Sequence, residues 1–325
     1  GSPVGETTVV PIECPERLIL DTVEDLVDRL MYYDRKEDEG LPLGVIEETV
    51  KYRGRLPACI GEMPMTQRAL FVVEDRPEYG RGHVVRSGAL ADELRGRGWD
   101  VEMLGAGSVG FRKASLVLID MPRPNRAGTW GLKTLSQNLV IIDDEPGPAE
   151  CALLVNGGAG ATAAMYADSG AKTVLAGPDY ALLRAEFQPL HLERALDLRH
   201  DHLRETRPHR GLRDIRLLRG LRPAGMARWL ADARLVISYA CMTAMECACV
   251  GTPTVLCPRN AGENLNADGL KAAGAAMVAC LVAPEDMADA LLEHYDLDRM
   301  SAAGLRLVDG LGCQRVATVI TEMFG

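Results

Sequence analysis

The sequence lacks four things, and each absence removes a class of protein. Its nine cysteines form no CxxC pair, no apolar run approaches the ~20 residues of a membrane span, basic charge is not in excess, and no repeat or low-complexity segment is present. Unpaired cysteine spacing excludes the common structural zinc motifs, and thiols set inside apolar segments act as small hydrophobes. A reducing cytoplasm is the expected compartment. The net charge of −10 argues against general nucleic-acid binding. No leader-like stretch precedes the first charged residues, and Gly1-Ser2 reads as a cloning scar.

The 325 residues, 47% of them hydrophobic and 25% charged, suit about two globular domains. Charge is unevenly spread. Residues 1–65 hold 14 acidic and 7 basic side chains, against 32 and 29 in the remainder. That shift marks a boundary near residue 66. A second local bias lies at 192–228, with ten arginines against five acids, read as a solvated face or as a phosphate- or partner-binding one.

From residue 68 short apolar runs alternate with helical segments. "ALFVVED", "DVEML", "SLVLID", "LVIIDD", "CALLVN" and "TVLAG" read as strands, with a helix over 84–97. "LKTLSQ" and "ALLRAEF" read as helices. Later come "IRLLRG", a helix at 223–232, the strand "RLVISYA", a helix at 243–250, "PTVLCP", a helix at 264–273, "AAMVACL" and further helices. Val/Ile/Leu strands separated by helices predict parallel sheets covered on both faces. The pattern breaks near 188–212, which reads as an interdomain segment.

Three stretches carry chemistry. In "RPEYGRGHVVRSGALADEL" a strand delivers a glycine loop to the carboxyl edge of a sheet, where ligands sit in open α/β folds. Gly80 and Gly82 allow a tight turn and close backbone approach, and His83 and Arg86 stand at the start of the following helix. In "YACMTAMECACVGTP" a strand runs into a helix bearing Thr243 and Glu246. A carboxylate on so apolar a helix requires a partner, and a pair of ribose hydroxyls is one candidate; a first-turn acid favourable to the helix dipole is the other. In "RNAGENLNADGL" Asn264 and Asn266 flank a helix start, as caps or as amides reaching a ligand. His200 and His202 form an HxH pair without further ligands, so no metal is expected.

"GRGHVVRSGALADELRGRGWDVEML", "LVIIDD", "LAGPDYALLRAEF" and "ADARLVISYACMTAMECACVGTPTVLCPRNAGENLNADGLKAAGAA" follow the order seen in a known family. The sequence resembles the UDP-2,4-diacetamido-2,4,6-trideoxy-β-L-altropyranose hydrolases of pseudaminic acid biosynthesis and, more widely, GT-B glycosyltransferases. The resemblance covers roughly residues 68–290. It implies an α/β chain of two Rossmann-like domains in the GT-B arrangement, residues 66–188 and 189–325, the second reduced. His83 would match the family's active-site histidine. Glu246 would hold the nucleotide ribose, Thr243 would lie near the phosphates, and Asn264 and Asn266 would lie on the loop approaching the sugar. Separately, "RLILDTVEDLVDRL" resembles the C-terminal end of cytidylyltransferases, with Asp21 matching a residue near their metal site. It makes residues 1–65 a small helical extension.

The resemblance implies hydrolysis of a nucleotide-activated, N-acetylated amino sugar, with His83 as the base for water and no cofactor. UDP is the expected nucleotide, with CMP or GDP as alternatives, and a partner enzyme of the same pathway is a further expectation. Glycosyl transfer on the same scaffold is the second reading. A catalytically reduced binding module is the third, because Met242 precedes Thr243 and an Arg-rich segment stands where a strand and Gly-rich loop would open the second domain.

Overall fold

The computed structural model describes residues 67–76, 79–105, 114–123, 138–201, 223–279 and 296–325. The cytidylyltransferase-like segment 1–65, the expected helix 132–137, the expected strand 215–220 and His202 lie outside them.

Six strands form a parallel sheet: β1 (Arg68–Val73), β2 (Asp100–Gly105), β3 (Leu116–Asp120), β4 (Leu139–Ile142), β5 (Leu153–Asn156) and β6 (Thr173–Ala176), in the order β2-β1-β3-β4-β5-β6. The pleat sends Phe71 and Val73 to one face and Leu70 and Val72 to the other, and both faces are buried. Helix α1 (Gly82–Gly96) covers the first face through Leu90, Ala91 and Leu94. A second parallel sheet has the order β7 (Val236–Ser238), β8 (Thr254–Leu256), β9 (Met277–Val278). Around it stand α2 (Phe187–Asp201), α3 (Pro223–Asp232), α4 (Met242–Cys249), α5 (Ala261–Ala272) and α6 (Leu297–Leu307).

The last helix, α7 (Gly312–Phe324), leaves the second unit and returns to the first. Its Cys313, Val316, Ala317 and Ile320 share one core with Phe71 and Leu90. Arg97, just past α1, fastens it by donating to Thr318 Oγ1 at 2.8 Å and to the Gln314 carbonyl at 2.9 Å.

Two expectations are corrected. "ALLRAEF" is not a helix: residues 181–186 run as irregular chain and a turn, and the helix begins at Phe187. Ala181 is held where Gly157 and Gly312 press backbone against it, since a Cβ on either would fall within 3 Å of its main chain. The expected interdomain segment near 188–212 opens on α2, over Phe187–Asp201. His191 Nδ1 of that helix lies 2.8 Å from the Cys249 carbonyl and ties α2 to α4. The helix placed at 264–273 begins three residues earlier, because the Asn260 side chain caps it by accepting from the Glu263 amide at 2.9 Å.

The two units also meet along a backbone contact. The loop after β5, Gly157-Gly158-Ala159-Gly160, lies against α5, and a Cβ on Gly269 would stand 2.2 Å from the Gly160 nitrogen. Gly269→Ala should therefore lower stability by about 1–3 kcal/mol through overpacking. Gly88→Ala meets nothing within 4 Å and should raise stability by about 0.5–1 kcal/mol through helix propensity. Urea unfolding of the two variants against the parent checks both signs.

Candidate functional site

The loop after β1 turns at Gly80, whose φ of +73° lies in the left-handed region that glycine adopts without cost. Helix α1 then starts at Gly82 with Arg81 at its cap. Neither a side-chain cap nor an acid in the first turn is present there. His83, Arg86 and Ser87 fall at helical spacing on one side of α1, and all three meet Asp120 at the end of β3.

Asp120 is completely buried. Its Oδ1 accepts from Arg86 Nη2 at 2.6 Å and lies 2.7 Å from His83 Nδ1. Its Oδ2 accepts from Arg86 Nε and from Ser87 Oγ, each at 2.8 Å. Burial alone would push this carboxyl up, but the Arg86 guanidinium, helped by His83, holds it far below the usual carboxylate range. An ionised carboxylate only accepts, so His83 Nδ1 carries the proton and donates it. The basic lone pair of the ring is then on Nε2. Arg86 Nη2 lies 3.0 Å from the same Nδ1, two donors side by side aimed at one oxygen.

Arg86 also reaches Asp144, just past β4, with Nη1 to Oδ1 at 2.5 Å and Nη2 to Oδ2 at 3.0 Å. The Asp144 side chain is half exposed, and the Arg86 guanidinium beside it holds its carboxyl below the ordinary range as well. The fork geometry of one arginine thus bridges two carboxylates at adjacent strand ends.

The start of α4 faces this assembly. A Cβ on Gly82 would stand 3.7 Å from Met242 Cγ, so the first turns of α1 and α4 are neighbours. Helix α4 likewise has no side-chain cap at Cys241 and no acid in its first turn, where Thr243 is half-buried. It ends before Gly251, whose φ of +66° makes the stop expected from the sequence.

Glu246, one turn into α4, does have a partner, and it comes from the protein. Arg184 Nη2 donates to Glu246 Oε1 at 2.9 Å, while Arg184 Nη1 lies 3.3 Å from Glu186. Burial pushes the Glu246 carboxyl up and Arg184 offsets only part of that rise. Asn266 is buried with both ends of its amide engaged: Oδ1 accepts from the Ala159 amide, and Nδ2 donates to the Ala240 carbonyl, both at 2.8 Å. It joins the glycine loop of the first unit to the approach of α4. Asn264 is exposed on the first turns of α5. The structure therefore gathers Gly80, Gly82, His83 and Arg86, sets Thr243 opposite, and places Glu246 and Asn266 in the joint behind α4. Among the described residues no cluster of three or more acidic, histidine or cysteine side chains could hold a metal. The thiols of Cys247, Cys249 and Cys313 are pushed up by burial, Cys249 to about 12, and serve as packing groups.

Sequence reasoning missed Asp120, Asp144 and Arg184. The first two were visible as acids closing the strands "SLVLID" and "LVIIDD"; nothing local marked Arg184.

No family model and no curated protein matches the sequence. Solved structures do. The chain is similar to the glycotransferase of kitacinnamycin, with TM-score 0.50 and 15% identity over 81% of this chain and 100% of that one. It is also similar to S. aureus MnaA in complex with UDP, with TM-score 0.51 and 10% identity over 79% of this chain and 97% of that one. At such identities the likeness is one of fold. The chain is an α/β protein of two Rossmann-like units in the GT-B arrangement. No helix among the described residues is long and apolar enough to cross a membrane.

Arg86→Met should cost about 3–5 kcal/mol, because it leaves the Asp120 charge buried without its ion partner. Asp120 has a folded pKa below its unfolded value. The stability it contributes is complete above the ordinary carboxylate pKa of about 4 and is lost as pH falls below it. The loss continues down to the much lower folded value, so denaturation midpoints should change little between pH 7 and pH 5, then fall progressively from about pH 4 toward pH 2 for the parent and much less for Arg86→Met.

Proposed function

We propose that the chain transfers a glycosyl group from a nucleotide sugar to an acceptor hydroxyl. The observation that carries this reading is the His83–Asp120 pair, which leaves Nε2 as the basic nitrogen beside a glycine turn. Transfer takes precedence over the hydrolysis expected from sequence because a solved structure of similar fold is a glycotransferase.

In this reading His83 Nε2 takes the proton of the attacking hydroxyl as the new C–O bond forms at the anomeric carbon. Asp120 keeps the ring in the required tautomer and offsets the imidazolium charge, much as the acid does in a catalytic triad. Arg86, shared with Asp144, keeps Asp120 ionised. The anomeric C–O bond breaks toward the nucleoside diphosphate, which leaves with the electron pair. The uncapped first turns of α1 and α4 favour that negative charge. Direct attack by the acceptor inverts the anomeric centre.

The same reading gives the second unit, with Thr243 and Glu246 on α4, to the nucleotide, UDP first and CMP or GDP next, and the exposed Asn264 on α5 to the sugar, while Asn266, with both ends of its amide engaged, holds the joint behind α4. Glu246 can serve the ribose only while it shares its carboxylate with Arg184. The first unit, with Gly80 and Gly82, receives the sugar and acceptor.

Nucleotide release from a panel of UDP-, CMP- and GDP-sugars, with and without an acceptor mixture, tests the proposal. Release that requires the acceptor supports transfer, whereas equal release in its absence means hydrolysis. His83→Ala should cut turnover by at least about 10²-fold, the usual contribution of a general base. It should keep its melting transition, because Arg86 and Ser87 still hold Asp120. A variant that turns over like the parent would remove His83 from the mechanism.

A further inference from the structure

At the carboxyl edge of the second sheet a cation is fixed on two sides. Arg259 follows β8, and its guanidinium carbon sits 3.5 Å from the centroid of the Tyr239 ring. Its Nη2 donates to Glu263 Oε1 at 2.7 Å, its Nε lies 3.3 Å from both Glu263 oxygens, and its own main-chain amide donates to Glu263 Oε2 at 2.8 Å. Glu263 is itself buried in the first turn of α5, with its amide donated to the Asn260 cap. One face of the guanidinium is thus covered by an aromatic ring, and one edge is taken by a carboxylate. Nη1 makes no hydrogen bond to any described residue.

The location matters as much as the geometry. Tyr239 and Ala240 lead directly into Cys241, the cap of α4. Arg259 and Glu263 both lie close enough to act on the Cys241 thiol, in opposite directions, which places the ion pair beside this turn. A partly exposed i,i+4 pair adds little stability, about 0–1 kcal/mol, and holding an arginine in one rotamer opposes it. What the arrangement does supply is a planar cation of fixed direction with free donors, suited to phosphoryl oxygens.

We propose that Arg259 binds the diphosphate of the nucleotide donor through Nη1, with Glu263 and Tyr239 as positioning residues. The proposal rests on the nucleotide-sugar reading above and names the group that carries the leaving charge. In the transfer step the anomeric C–O bond breaks toward the diphosphate, and the guanidinium meets the charge that develops on its oxygens.

The test is calorimetric titration of the full chain with UDP, CDP and GDP, and saturation-transfer NMR with uridine. The parent is compared with Arg259→Met, Arg259→Lys and Glu263→Gln, all checked for an intact melting transition. Arg259→Met should weaken diphosphate binding by about tenfold or more while uridine binding stays within about twofold. Arg259→Lys should recover part of the loss, since it restores charge without the fork. Glu263→Gln should fall between the parent and Arg259→Met. If the parent binds a diphosphate and Arg259→Met binds it equally well, Arg259 is a surface ion pair and the assignment is wrong. Equal losses for uridine and diphosphate would also overturn it, because they would mean a damaged fold. If the parent binds none of the three diphosphates, the nucleotide-sugar reading fails, and this proposal with it.

Discussion

A single carboxylate with no access to water organises the first unit. Asp120 closes β3 at the centre of a six-stranded sheet, where an unpaired charge would cost more than the domain could spare. Its four donors come from two turns of one helix, His83, Arg86 and Ser87. Meeting that requirement fixes the rotation of α1 about its axis and its height above the sheet. The histidine is therefore not free to choose its tautomer: the need to satisfy Asp120 decides it. Arg86 then has a donor edge left for Asp144, which links the ends of β3 and β4. Structural and chemical demands converge on the same atoms here.

The joint between the units is built differently, from absence of side chains rather than from charge. Gly157, Gly160, Gly269 and Gly312 each stand where a Cβ would strike the main chain of another segment. Asn266 completes the contact with two hydrogen bonds, one to each side. Arg184 adds an ion pair from the connecting segment to Glu246 on α4. Such a joint is short-ranged and directional, so the first turns of α1 and α4 face each other at a set separation.

Much of this architecture was legible in the sequence. Runs such as "ALFVV" and "LVII" announce strands buried on both faces, and the glycine turn before "HVVRSGALADEL" announces a helix start at a ligand edge. His83 and Arg86 could be chosen because they lie within that one local unit. Asp120 could not, because three of the strand-like runs end in aspartate and sequence does not say which one lies under the helix. Arg184 escaped for a related reason: it is 62 positions from Glu246, and "ALLRAEF" has the composition of a helix. Backbone contacts at Ala181 overrule that propensity, as tertiary packing often does. Asn266 was noticed for its polarity, yet its two partners lie in segments brought near it only by the fold. The Asn260 cap was hidden among the other polar residues of "RNAGENLN".

The path of α7 bears on how the chain is made. Ile320 and Val316 complete the core that Phe71 begins, so residues about 250 positions apart must meet before the first sheet is sealed. During synthesis the six-stranded unit emerges long before α7, with the face that α1 covers only in part waiting for a distant segment. Contacts of such separation are slow to close, and the exposed face is prone to association meanwhile. The unit made first is thus the one finished last, its assembly dependent on a helix that follows the second unit.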